Sequence, residues 1–396
     1  MQPPFSFVRG GVDSHPSPWH VGRMKLLIPG PVTTRPEVRA AAGHDFAPWD
    51  DSFRPPYQAV RRGIARIAGD VLASHAVLQL QGAGHFSVEA AVRSFLPPGG
   101  RILVPLTGKY AERMARLARE AGRSVTALPF SETGPLDPAI VAEALAADPT
   151  ISHVGLVYSE TSTGIIHDPD AIGRVVAAAG RRVILDAISA FGALPLDLRG
   201  RPEIDAVVFT PNKCLEGLPG LAVTIARIDS LLATPPRQAG SWSFDLRDIY
   251  EGGERGGWGS FRFTPPAQIV NALAVALDLH AAEGGAPARL ARYRENARVV
   301  FEGMAAIGLR PCLEADAQGP IVVNVRAPGD PAWSLDGFVA ALKARGFLIS
   351  DFYNTAEPSF RVGCIGAIGP DDMHRFVGAV DAVLHEMGVR SRLPAP

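Results

Sequence analysis

Short apolar runs alternate with helix-patterned segments along most of this chain, and that alternation limits the folds open to it. Strand-like runs occur at Ala76–Leu80, Ile102–Pro105, Val125–Pro129, His153–Tyr158, Val183–Asp186, Ala206–Phe209 and Leu221–Ala226. Helix-patterned segments at Phe86–Leu96, Tyr110–Ala121, Pro138–Ala147 and Asp170–Ala179 lie between several of them. Strands that are apolar throughout need cover on both faces, and intervening helices supply it. The expectation is an α/β fold whose large domain, residues 24–280, is built on a mainly parallel seven-stranded sheet. Asp137-Pro138 is an N-cap followed by a proline suited to a first helical turn. Residues 264–310 read as helical, and the character then changes. Strand Ile321–Val325, helix Leu335–Ala344, strands Phe347–Ile349 and Phe360–Val362 and helix Asp371–Met387 read as a smaller α+β C-terminal domain, residues 281–396.

Composition narrows the function classes. The 396 residues suffice for two or three domains, and a 47% hydrophobic, 20% charged composition is that of an ordinary globular chain. A formal net charge of -1 gives no electrostatic footprint for nucleic acid or an anionic membrane as partner. No apolar run approaches the ~18 residues of a membrane span. Cys214, Cys312 and Cys364 are odd in number and far apart, so they suggest neither a disulfide framework nor a metal site, and the cytoplasm is the expected compartment. Residues 1–23 are rich in Pro, Gly, Ser and His, lack the apolar stretch of a signal peptide, and read as a flexible extension; translation from Met24 is left open.

In a sheet of this kind ligands bind at the C-terminal ends of the strands, so motifs are weighed by whether they fall there. Gly82-Ala83-Gly84-His85 joins a strand to a helix and reads either as a phosphate cup or as a tight turn. Tyr110 follows a strand end and could stack on a ring or pack in the core. Ser159-Glu160-Thr161-Ser162-Thr163-Gly164 offers hydroxyls to a ligand or simply caps turns. Asp186 ends an apolar strand, where a carboxylate is costly to bury without a cationic partner. Lys213 follows the run Ala206–Phe209. A strand ending in an aspartate and another followed by a lysine is what pyridoxal 5'-phosphate (PLP) chemistry needs: the amine forms a Schiff base with the cofactor aldehyde, and the carboxylate holds the pyridine nitrogen protonated.

At this point the chain resembles the class V, fold-type I PLP aminotransferases. The resemblance runs from about Leu26 to about Gly388 and is closest to members that move an amino group from 2-aminoethylphosphonate to pyruvate. It rests on Pro29-Gly30-Pro31-Val32, Trp49-Asp50-Asp51, Glu160–Gly164, Asp186–Ala193, Asn212-Lys213-Cys214-Leu215-Glu216-Gly217, Arg262–Pro266 and Phe360–Gly363. It implies Lys213 as Schiff-base lysine and proton shuttle, with Asp186 on the ring nitrogen. It places Ala83, Gly84 and His85 at the phosphate, Tyr110 and Ile188 on the ring faces, and Thr161 and Asn212 at the cofactor. It also implies a homodimer with shared active sites, in which Thr264 reaches the partner's phosphate. Arg361 would bind the acidic group of the donor, its planar fork suiting a carboxylate or phosphonate. Pro31, Trp49 and Asp50 lie on the substrate side, the last two either as substrate contacts or as a packed loop anchor. No metal is implied.

Two departures stand out. Ala83 and His85 replace hydroxyl residues usual in the phosphonate subgroup, and a histidine there is familiar from alanine:glyoxylate aminotransferases. Ser350-Asp351-Phe352-Tyr353 stands where the subgroup carries Tyr-Pro-Gly-Lys, so a cation is lost near the substrate mouth and an anion added. That exchange disfavours a dianionic phosphonate. The rival expectations are therefore a PLP lyase or a transaminase for another small acidic amine, and, more remotely, a non-catalytic relative.

Overall fold

The structure is a computed structural model that describes residues 24–131, 134–352, 355 and 357–395. The expected extension over residues 1–23, and Tyr353 of the altered loop, lie outside the described residues. The chain opens with strand β1 (Lys25–Leu26) and helices α1 (Pro36–Ala41) and α2 (Arg54–Ile67). The alternating part follows: β2 (His75–Gly82), α3 (Gly84–Phe95), β3 (Arg101–Leu106), α4 (Lys109–Glu120), β4 (Ser124–Pro129), α5 (Pro138–Ala147) and β5 (Ile151–Val157). After a short ribbon, β6 (Ser159–Glu160) with β7 (Ile165–Ile166), come α6 (Pro169–Ala178), β8 (Arg182–Asp186), β9 (Ile204–Phe209) and β10 (Gly220–Arg227). Helices α7 (Ile228–Ala233), α8 (Leu246–Gly256), α9 (Ala267–Glu283) and α10 (Gly285–Ala306) lead to β11 (Val322–Arg326), α11 (Leu335–Ala344), β12 (Phe347–Leu348), β13 (Ser359–Gly363) and α12 (Pro370–Glu386).

Among the described residues the large sheet has seven strands in the order β2-β10-β9-β8-β5-β3-β4. Each of the seven apolar runs supplies one strand. Only β10 runs against the others, antiparallel to both β2 and β9. The period-2 pattern shows why both faces need helices. Val183, Leu185, Val207 and Phe209 pack with α2, α5, α6 and α9 on one face, and Ile184, Ala206 and Val208 pack with α3 and α4 on the other.

A third core joins α10, α11 and α12 to β11, β12 and β13. Leu27 is buried in this core, and β1 pairs in parallel with β12, so the first described residues are stitched to the last third of the chain. The backbone N–H groups of Gly363 and Ala367 donate to the carbonyls of Leu27 and Thr33 and continue the stitch.

Sequence patterning does not anticipate α2 or α8. Helix α2 is crowded with arginine and begins on a proline pair, and its buried side is carried by Tyr57, Val60, Ile64 and Ala65. Helix α8 includes the pair Gly252-Gly253, which reads as a loop, yet Asp245 caps its first turn by accepting from the Asp248 N–H.

Candidate active site

The C-terminal ends of β2, β3, β5, β8 and β9 open on one edge of the sheet, and the loops there carry most of the predicted residues. Because β10 returns antiparallel, the connection 210–219 is a short reversal that stays over this edge. Lys213 lies in it, 8% exposed. The segment ahead of α1 crosses above: Val32 N–H donates to the Asn212 carbonyl at 3.3 Å, and Gly30 (φ +148°) leans on the lysine stem. A Cβ on Gly30 would sit 2.6 Å from Lys213 Cδ, so only glycine lets this strap and Pro31 pass so close. Burial lowers the Lys213 pKa, with Tyr110 and Asp186 opposing and Arg361 assisting the shift.

Asp186 closes β8. Its Oδ1 accepts the Ile188 N–H at 2.9 Å, and burial pushes the carboxyl up to about 7. Glu160 raises it further, whereas the Ile188 bond, Lys213 and Arg113 lower it.

Tyr110 sits in the first turn of α4, with Lys213 Nζ 6.0 Å from its ring centroid. Burial raises the phenol, but Lys213, a bond with the Thr161 side chain, Arg361 and Arg113 outweigh it and leave the pKa below its ordinary value. The turn is fixed by Glu160, which is fully buried and accepts from the N–H groups of Tyr110 (3.2 Å), Ala111 (3.4 Å) and Ser162 (3.1 Å) and from Ser162 Oγ (2.6 Å). Arg361, on β13, is buried; its Nε donates to Ser350 Oγ (3.2 Å), its NH1 donates to the Thr161 carbonyl (3.1 Å), and its guanidinium lies 5.2 Å from the Phe352 ring centroid. Among the described residues no carboxylate forms an ion pair with it, but the Tyr110 side chain hydrogen-bonds it and the charge of Glu160 favours its protonated form against burial. Ala83 is the N-cap of α3, and Gly84 and His85 open its first turn, where the N–H groups have no partner within the helix. Asn212 Oδ1 accepts from Thr210 Oγ1 at 2.6 Å.

Lys213, Asp186, Tyr110, Thr161, Ile188, Asn212, Arg361 and the Ala83–His85 turn are thus brought to one sheet edge. Thr264 is exposed and lines a cavity of 830 Å³ with Arg262 and Phe263, together with Gln81 and Phe86, which flank the Gly82–His85 turn. Trp49 is 83% exposed and Asp50 binds only its own turn through the Ser52 N–H, so within one chain Trp49 is no packed anchor. Two residues escaped the sequence reading. Glu160 was passed over for the hydroxyls beside it. Arg113, one turn beyond Tyr110 with its guanidinium 5.0 Å from that ring centroid, has its only signal in the i, i+3 spacing. No cluster of residues fit to hold a metal ion occurs among the described residues.

The donor set fits a PLP ring. Asp186 is a desolvated carboxylate lacking a cation in contact, and a protonated ring nitrogen would supply one. Gly84 packs against the Ile188 side chain, where a Cβ would meet Ile188 Cδ1 at 2.9 Å, so only a glycine brings the backbone of this turn so close to Ile188. Lys213 supplies the amine. The fold and this site define a fold-type I PLP-dependent enzyme. The class-V aminotransferase family profile matches residues 51–332, and the chain belongs to that family. It is 42% identical to the 2-aminoethylphosphonate–pyruvate transaminase of Pseudomonas putida (strain W619) over 92% of this chain and 98% of that one. The protein of the same name from Burkholderia thailandensis is 42% identical over 93% and 98%. Among solved structures, pyridoxamine–pyruvate aminotransferase from Mesorhizobium loti superposes with a TM-score of 0.83 at 26% identity, covering 94% of this chain and 95% of that one.

Proposed function

We propose that this aminotransferase moves the amino group of 2-aminoethylphosphonate to pyruvate, giving phosphonoacetaldehyde and alanine. The observation that carries the reading is Arg361: a buried guanidinium, unpaired by any described carboxylate, beside Lys213 and Tyr110. Such a group is costly to keep buried unless an anionic ligand completes it. The names of the relatives in P. putida and B. thailandensis point to the same donor and acceptor.

When bound, PLP supplies the electron sink for the carbon that loses its proton. The chain's own groups do the rest. Asp186 holds the ring nitrogen in its charged state. Lys213, its amine favoured neutral by burial, takes the proton from the donor carbon and returns it. Tyr110 and Ile188 would hold the ring, Ala83, Gly84 and His85 would offer N–H groups and an imidazole to its phosphate, and Thr161 and Asn212 would complete its surroundings. Arg361 fixes the donor's anion, and Pro31 with the strap limits water. Trp49, Asp50 and Thr264 act at a shared site in a homodimer; the exposed Trp242 and Phe263 beside the 830 Å³ cavity support that assembly. The division near residue 280 into a PLP-binding unit and a smaller one, and a reducing cytoplasmic home for the three free cysteines, belong to the same reading. No helix among the described residues is long and apolar enough to cross a membrane.

A second reading keeps the chemistry and changes the donor. Asp351 and Phe352 are exposed on the loop that follows Ser350, itself bonded to Arg361. This places a negative charge where a dianion would enter. Half-reactions followed by cofactor absorbance, with 2-aminoethylphosphonate, its hydroxylated analogue, β-alanine, taurine and alanine, separate the two. Fastest amination by the phosphonate, with alanine formed from pyruvate, supports the first. Preference for another donor supports the second, and ammonia release without a keto acid indicates a lyase.

A further inference from the structure

Beneath the lysine turn lies a buried ionic cluster that the chemistry above does not use. Glu216 has a left-handed backbone (φ +57°) rare for a side chain of its size, and it is 2% exposed. Its Oε1 accepts from Arg292 NH2 at 2.7 Å and from the Tyr293 hydroxyl at 2.8 Å, with Arg289 NH1 at 3.6 Å. Arg289 NH1 also donates to the Cys214 carbonyl at 2.7 Å, gripping the backbone next to Lys213. Both arginines bind Glu283 at the end of α9, which they draw down to about 2 against the opposing effect of burial.

The same side chains reach the other half of the site. Arg292 NH1 donates to the carbonyls of Gly366 (2.6 Å) and Ile368 (2.9 Å), and the Tyr293 hydroxyl accepts the Gly366 N–H at 3.2 Å. Asn296, one turn on along α10, donates to the Cys364 carbonyl at 3.0 Å. Residues 364–368 directly follow β13, the strand that carries Arg361. Two formal anions and two formal cations, Glu216 and Arg289 buried and Glu283 and Arg292 partly so, therefore clamp the turn of Lys213 and the strand end of Arg361 onto one face of α10.

We propose that Glu216 and Tyr293 are positioning residues, forming a hub that sets the distance between the proton-moving amine and the anion-holding guanidinium. This rests on the roles assigned above to Lys213 and Arg361. Misplacing a reacting group by about 1 Å costs on the order of 100-fold in rate, and a donor that spans both groups is the one to suffer. The test compares kcat/KM for 2-aminoethylphosphonate with that for propylamine, which carries no anion, in holoenzymes of wild type, Tyr293→Phe and Glu216→Gln. Tyr293→Phe removes a single oxygen and keeps the test intact should Glu216→Gln fail to fold. The expected result is a fall of about 10-fold or more in the phosphonate-to-propylamine ratio. Calorimetric affinity for methylphosphonate, which needs only Arg361, is expected to stay within about threefold, because Ser350 and Thr161 still hold that side chain. A ratio within about twofold of wild type, or higher, overturns the hub, and so does collapse of methylphosphonate binding. Arg361→Ala in the same assay reports on the underlying reading: if the wild type shows no preference for the charged donor, that reading falls and the hub with it. A preserved wild-type preference with unmoved variants sinks the hub alone.

Discussion

The site reduces to a few side chains held in unfavourable surroundings. Lys213→Ala removes the amine that moves the proton; turnover is expected to be lost, with no borohydride-reducible absorbance on adding PLP. Asp186→Asn keeps the shape and removes the charge, and a drop on the order of 100- to 1,000-fold in kcat is expected by analogy with other lost electrostatic contacts. The same residue predicts a pH effect on the cofactor-free protein. Its folded pKa, about 7, lies above the ordinary 3.8, so the folded state binds the extra proton and stability falls as pH rises between those values. The full effect is about 4 kcal/mol, each unit being worth about 1.4 kcal/mol. The decline is read as the difference between wild type and Asp186→Asn in thermal unfolding of the apo protein from pH 4 to 8, because His75 and His167, lowered to about 4 by burial, add stability as pH rises and act in the opposite direction in both proteins. Lys213 and Asp186 were legible because each follows an uninterrupted apolar strand. Glu160 was not, because its value lies in which N–H groups the fold points at it, and no local pattern encodes that.

Among the elements, α4 depends on the ribbon that precedes α6. Glu160 satisfies two N–H groups of the first turn of α4 and so fixes where Tyr110 stands. Glu160→Ala leaves these donors buried without partners and should cost about 2–3 kcal/mol. Chemical denaturation measures the loss, and weaker PLP binding should accompany it, because the Tyr110 ring is no longer held. Legibility at this scale follows the physics of each segment. Helix α5 was bounded correctly at Pro138–Ala147, since Asp137 caps it and Pro138 starts it. The seven sheet strands were read because apolar residues dominate each run, with only scattered polar residues such as Gln79, Thr126, His153 and Thr224 interrupting them. Helix α2 was missed because its arginines face outward and its apolar stripe is narrow. The direction of β10 was not readable either, since an apolar run looks the same whichever way it pairs.

Over the whole molecule, the prediction concerns the shared site. If Thr264 serves a partner's phosphate, Lys213→Ala chains are inactive and Thr264→Asp chains weak alone, yet co-refolded they form heterodimers with one intact site. Recovery of activity on mixing, with the dimer mass confirmed by light scattering, is the expected outcome; no recovery would place Thr264 outside the partner's site. The cores of the two sheet faces and of the C-terminal layer are legible from patterning. The return of residues 25–33 onto residues 346–367 is not, because such pairing across the length of the chain leaves no local trace. That seam has a bearing on biosynthesis. Gly30 is held over Lys213 by a segment whose partners are translated more than three hundred residues later, so a nascent chain that has not reached Phe347 has no anchored strap and no Arg361. Chemistry becomes available only once the segment from Phe347 to Ala367 has been made, and a ribosome-stalled fragment that ends before it, however well its central sheet has formed, stays inert.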